Sequence, residues 1–165
     1  MAGKIKRSQI AAFLNTGTGE TPTWSLIGEG VTEQTISYNP QTSEEVYIHQ
    51  DSGSTSIESY RPTIPTPMTA IAGDAVFDFV DGIRKDRKVL ADAETEVCIV
   101  YLYETAESGA YPAEKNACSI QIDDFGGAGG EKATINFTIN LNGDPVKGTF
   151  NPSTKAFTPA GGGGE

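Results

Sequence analysis

The chain has one histidine, two cysteines and one tryptophan among 165 residues, and only 12 Lys and Arg against 22 Asp and Glu. Each scarcity removes a class of function. With His49 as the sole imidazole, any Ser–His or Cys–His mechanism must use it, and neither a Gly-x-Ser-x-Gly elbow nor a His-Glu-x-x-His helix occurs. Two cysteines cannot staple a disulfide scaffold. Cys98 lies inside the most apolar run and Cys118 beside another, so both are expected as reduced core thiols. The net charge of −10 sets the chain against phosphate backbones and anionic lipid. No Gly-Lys-Ser/Thr triplet is present, which excludes a phosphate loop. The longest apolar run near the start, Ile10–Leu14, is too short for a signal-peptide core or a bilayer span. A soluble product of the cytoplasm is expected.

What is abundant is turn chemistry, with 19 Gly and 9 Pro, on a length that suits one domain with a real core. Residues 1–20 carry Lys4, Lys6 and Arg7 and then a Thr-Gly-Thr-Gly run, and read as an arm. Trp24–Ile27 and Thr35–Tyr38 have strand composition. Glu45–His49 alternates, with Val46 and Ile48 on one side, and an Asn39-Pro40 turn predicts a hairpin. From about residue 50 to 67 the chain is rich in Ser, Thr and Pro and reads as a long loop. Its Ile57, Tyr60, Arg61 and Ile64 offer contact surface that a solvated linker does not need.

One helix is predicted. Asp74 is its N-cap, and Val76, Phe77, Val80 and Ile83 form an apolar stripe opposite Asp78, Asp81 and Arg84. Arg84, Lys85, Arg87 and Lys88 fall at its C-terminal end, where cations complement the helix dipole. Thr95–Tyr103 is apolar on both faces and predicts a doubly buried strand. Ser119–Asp123 alternates, and Gly126–Gly130 is a loose connection. Ile135, Phe137, Ile139 and Leu141 then alternate with Thr134, Asn136, Thr138 and Asn140. Asn142-Gly143 is expected to turn the chain into a return strand, Val146–Phe150, and Gly161–Gly164 into a tail. The count is seven or eight strands about one helix.

Several motifs carry bland readings. Asp124-Phe125-Gly126 lacks any accompanying kinase element, and the neighbouring glycines precede a strand rather than a helix. Asp123, Asp124 and Glu131 are too few for a calcium cage and read as acidic residues beside a hairpin loop. Asn136-Phe137-Thr138 spells a glycosylation acceptor, but mid-strand. No catalytic residue, metal ligand or cofactor site is predicted, and no enzyme.

The absence of chemistry directs attention to strand edges. The Thr134–Leu141 segment carries no charge, so nothing on it blocks pairing with another chain, and self-association is the simpler account. The order of arm, hairpin, long Pro/Thr loop, mid-chain amphipathic helix and the final Gly143-Asp144-Pro145-Val146-Lys147-Gly148-Thr149-Phe150-Asn151 segment resembles the major tail tube proteins of long-tailed bacteriophages. That resemblance implies a mainly β monomer with one α-helix, a sandwich or barrel that completes a larger β-barrel ring on oligomerisation. It implies six copies per ring, stacked into a tube that conducts the genome. It also implies a virion tail protein assembled in the host bacterial cytoplasm, with tape measure, tail terminator and distal tail proteins as partners. DNA would be passing cargo only, and no membrane is involved. A lumen that lets DNA slide should be polar and uncharged or negative. Thr134, Asn136, Thr138 and Asn140 have that chemistry, although an ordinary solvent-facing strand side has it too. In the same picture Ile57, Tyr60, Arg61 and Ile64 touch the adjacent ring. The alternative is a monomeric carbohydrate-binding β-sandwich that stacks sugars on Trp24, Tyr47, Tyr60 or Tyr101.

Overall fold

The computed structural model describes residues 3–160, so the Gly161–Gly164 run lies outside the described residues. In chain order the elements are β1 (Ile10–Asn15), β2 (Trp24–Leu26), β3 (Pro40–Glu45), β4 (Ser54–Tyr60), β5 (Thr63–Thr69), α1 (Ala75–Asp86), β6 (Glu94–Tyr101), β7 (Tyr111–Gly126), β8 (Thr134–Asn151) and β9 (Ala156–Pro159). Seven strands form an antiparallel sheet in the order β2-β1-β6-β7-β8-β5, with β9 added along the far half of β8. The sheet curls into a nearly closed barrel. The hairpin β3–β4 stands apart as a second sheet.

The period-2 pattern of β8 decides which face is inside. Ile135, Phe137 and Ile139 are buried to within 1%, because every second side chain of a strand points to the same side. They meet Leu14, Val97, Ile99, Cys118 and Ile120 from the neighbouring strands. The helix lays its stripe into the same cluster, with Val76, Phe77, Val80 and Ile83 all buried. Its start is set by Asp74, whose carboxylate accepts from the Phe77 N–H at 3.0 Å. Arg87, in the left-handed conformation, ends it by donating its N–H to the carbonyls of Arg84 and Ile83. In β6, Val97, Cys98, Ile99 and Val100 are buried on both faces. Cys98 and Val100 join Phe13, Trp24 and Phe150 in a satellite cluster, where the Phe13 and Phe150 rings lie 4.5 Å apart.

Several stretches differ from expectation. Thr35–Tyr38 is no strand, since Ser37 alone bridges, to Thr63, and Asn39-Pro40 turns no hairpin because Pro40 opens β3, which pairs with β4. The uncharged Thr134–Leu141 stretch offers no free edge, since β5 and β7 flank it on both sides. Ile10–Asn15, placed in the arm, is β1, which pairs with β2 on one side and β6 on the other. A five-residue apolar run that cannot span a bilayer is the length of a core strand. The expected loop at 50–67 contains β4 and most of β5. There, Thr63 and Thr69 donate their N–H groups outward, to Ser37 and Gly30. Pro65 and Pro67 hold the outward-pointing positions between them. An edge strand accepts proline at those sites alone, because no ladder N–H is needed there. Glu45–His49 is no strand beyond Glu45. With no second sheet facing it, its alternation has nothing to bury, and Val46 and Ile48 are exposed. Asn142-Gly143 makes no hairpin. β8 runs straight through it, and β7 pairs with both halves, Ala117 with Asn142 and Lys115 with Val146. The positive φ of Gly143 (69°) serves a bulge instead of a turn.

The gap between edge strands β2 and β5 is bridged by the intervening chain. Gly30 accepts from the Thr69 N–H at 2.8 Å, and Ser37 exchanges two bonds with Thr63. Gly30 has φ 81°, and a Cβ there would sit 2.7 Å from the Thr69 carbonyl oxygen, so only glycine closes the barrel. Arg7 and Gln34 reinforce this seam, with the Gln34 amide donating to the buried Thr66 hydroxyl at 2.9 Å.

Because Phe77 fills the space between helix and sheet, Phe77→Ala should cost about 3–5 kcal/mol in urea unfolding. Asp86→Ala, on the exposed side of the same helix, should stay within about 0.5 kcal/mol. Equal midpoints for the two variants would detach the helix from the core.

Candidate assembly surfaces

The outer face of β7 and β8 carries a continuous polar ladder. Asn136 donates to Asp124 at 2.6 Å and Thr138 to Asp123 at 2.8 Å. Asn140 donates to Gln121 at 3.3 Å, Asn142 to Ser119 at 2.8 Å, and Thr134 reaches the Gly126 carbonyl at 3.5 Å. The four residues expected on one face are therefore together, each tied to a partner on β7. A bulge between Ile122 and Asp124 sets the two aspartates side by side on that face. No cation forms an ion pair with either aspartate among the described residues. The ladder is polar, anchored and negative.

The second surface is the β3–β4 hairpin. Ile57, Tyr60 and Arg61 are exposed on it, and its tip adds Val46, Tyr47 and Ile48. Tyr47 stacks on His49 with ring centroids 6.2 Å apart. Ile64, expected alongside Ile57 and Tyr60 as contact surface, is 1% exposed. It sits on β5 opposite Ile139 and belongs to the monomer's own core, because it falls on the inward beat of that strand. The apolar tip escaped sequence reasoning. The Asp51-Ser52-Gly53 run was the signal that could have located a hairpin end there.

A third feature had no sequence signal. Where the base of the hairpin meets the mouth of the barrel, a groove of about 870 Å³ is lined by Tyr38, Tyr60, Glu58, Glu114, Asn116 and Asp144, among others. Glu114 and Asn116 point inward, since they pair with the inward-facing Ile99 and Val97. The Tyr101 hydroxyl donates to Glu114. Burial first, and then that carboxylate, hold the Tyr101 hydroxyl above its ordinary pKa range. Of the four aromatic platforms considered for sugar stacking, Trp24 is removed. It is 4% exposed and packed edge-on against Phe150.

No family model matches the sequence, and no curated protein matches it. Among solved structures, a chain from the tail of an empty GTA particle, reconstructed by helical refinement with C6 symmetry, aligns with 94% of this chain and 99% of its own. The TM-score is 0.62 at 15% identity. The two chains share a fold. The mainly β architecture with one helix, expected from the sequence, is thus also the architecture of that tail chain. No described helix is long and apolar enough to cross a membrane.

Burial raises the thiols of Cys98 and Cys118 to about 12. A thiol held neutral in the fold contributes stability that is full below the ordinary value near 9 and is lost as pH rises from there toward 12. Neither thiol should therefore react with a disulfide reagent at pH 8 in the native protein, and both should react in denaturant. Fast labelling without denaturant would show that the core opens locally.

Proposed function

We propose that the chain is a structural subunit of a phage-like tail tube, forming rings of six copies that stack around a channel for DNA. The observation that carries this reading is the shared fold, end to end on both chains, with a protein from a C6-symmetric tail. Physical features of this chain support it. A repeated head-to-tail contact closes a ring by rotation. The ladder of Thr134, Asn136, Thr138 and Asn140 suits the lumen. Its hydroxyls and amides are satisfied by β7, and Asp123 and Asp124 repel phosphate, so passing DNA finds nothing to bind. The tail location, assembly in the host cytoplasm, and the tape measure, terminator and distal tail partners belong to the same proposal. So does the absence of catalysis.

The hairpin is the contact between rings in this reading. It buries almost nothing within its own subunit, so its exposed Val46, Tyr47, Ile48, Ile57 and Tyr60 await a partner.

Electron microscopy of the concentrated protein, beside its sedimentation mass, tests the whole reading: hollow rings or tubes are expected, and a lone monomer at every concentration overturns it. Replacing Val46, Tyr47 and Ile48 together by Ser should leave the circular dichroism unchanged, since none is packed in the core, and abolish stacking. Tubes from that variant would move the ring contact elsewhere. Asn136→Lys with Thr138→Lys should still assemble, yet particles carrying both changes should package or eject DNA poorly, because each ring then lines its lumen with cations. Normal infectivity would place this face away from the lumen.

A further inference from the structure

Among the described residues, the groove at the barrel mouth has an amide donor without an acceptor and carboxylates without a cation, although the Ser43 hydroxyl donates to Glu58 and the Tyr101 hydroxyl to Glu114. Asn116 is 5% exposed, and its amide nitrogen has no hydrogen-bond partner. A buried amide in that state is unfavourable unless an acceptor arrives. Around it stand the carboxylates of Glu58, Glu114 and Asp144, with Tyr38 and Tyr60 in edge-to-face contact at 6.5 Å. Neither Glu58, Glu114 nor Asp144 is in an ion pair among the described residues. The fitting ligand carries a cation, apolar surface and a carbonyl oxygen together. Those are the parts of a short basic peptide segment.

The same chain displays one at the other end of the barrel. After α1 the residues Arg87-Lys88-Val89-Leu90 are all exposed, with Leu90 84% exposed and held at φ 54°, a conformation leucine rarely adopts. Asp81 pairs with Arg84 and Lys85, at 2.7 and 3.2 Å, and leaves Arg87 and Lys88 with no ion-pair partner among the described residues. Arg84 lies over the Phe125 ring at 4.0 Å. Phe125 is nine residues along β7 from Asn116, roughly 30 Å at strand spacing, so the segment cannot fill its own groove.

We propose that Arg87–Leu90 of one copy docks in the barrel-mouth groove of the next. In that contact Arg87 and Lys88 face Glu58, Glu114 and Asp144. Val89 and Leu90 cover the Tyr38–Tyr60 pair, and a backbone carbonyl of the segment accepts from Asn116. The contact is head-to-tail, with knob and hole at opposite ends of one fold, so it propagates from copy to copy. It rests on the assembly reading above and specifies which surfaces meet.

Two measurements on the full chain test it. In the first, Glu58→Lys with Asp144→Lys reverses the groove, and Arg87→Asp with Lys88→Glu reverses the segment; aspartate tolerates the left-handed conformation at position 87. Each pair alone should weaken self-association about tenfold or more in sedimentation velocity at low salt, and all four changes in one chain should restore it. Association that is unchanged in either pair, or not restored by the four, overturns the contact. In the second, a synthetic peptide spanning residues 85–91 is titrated into the protein while the Asn116 side-chain amide is followed by NMR. A saturable shift, absent with a charge-reversed peptide, is expected, and no shift overturns the proposal. A parent chain that never forms rings but whose Asn116 responds to the peptide would sink the tube reading and leave this contact standing.

Discussion

The alternation along β8 is the constraint on which the rest of this molecule depends. Because Ile135, Phe137 and Ile139 must leave water together, the strand can present only one face to the core, and every neighbour is registered against it. β5 contributes Ile64, Thr66 and Met68 at the matching beats, β7 contributes Cys118 and Ile120, and the helix closes over them. A slip of one residue would bury Asn136 and Thr138 and expose Phe137. The polar ladder on the outside is thus a consequence of the same register that makes the core. Whatever that face does for assembly, it is not adjustable independently of stability.

Edges are handled unevenly, and the unevenness has meaning. The β5 edge is closed by two prolines and by the strap from Gly30 to Ser37, so it cannot recruit another chain along that length. Cys98 and Val100, which would otherwise expose an apolar patch on the outside of β6, are covered by Phe13, Trp24 and Phe150 in the satellite cluster. Against this background the hairpin, the barrel-mouth groove and the Arg87–Leu90 segment are conspicuous. They are places where apolar groups remain uncovered or charged groups lack an ion-pair partner among the described residues, although the same chain covers such groups elsewhere. The groove and the Arg87–Leu90 segment lie toward opposite ends of β7, as the proposed head-to-tail contact requires.

Local chemistry makes much of this legible in the sequence. The helix was readable because an N-cap, an apolar stripe and a basic C-terminal turn agree with one another over twelve residues. The doubly buried β6 was readable because no polar residue interrupts Val97–Val100. The misreadings share a different cause. Pro65 and Pro67 looked like loop residues, Asn142-Gly143 looked like a turn, and Ile10–Leu14 looked like part of an arm. In each case the local signal was compatible with two structures, and the choice belonged to residues far away in sequence. Thr138 and Asn136 across the ladder make the prolines an edge strand. β7, long enough to pair on both sides of the bulge, carries β8 through Asn142-Gly143.

By itself the sequence determined the secondary-structure class, the inward face of β8, the helix with its buried stripe and the burial of both cysteines. These follow from side-chain periodicity and residue chemistry, which act over a few neighbouring positions. Tertiary structure alone decided that Ile64 is core and Ile57 surface, that Trp24 is packed rather than displayed, and that Glu114 and Asn116 share a groove with Tyr38 and Asp144. Those outcomes depend on which strands become neighbours when the sheet curls, a closure between residues far apart in the chain, such as Trp24 and Phe150, and no short-range pattern encodes which side chains such a closure brings together or leaves without partners.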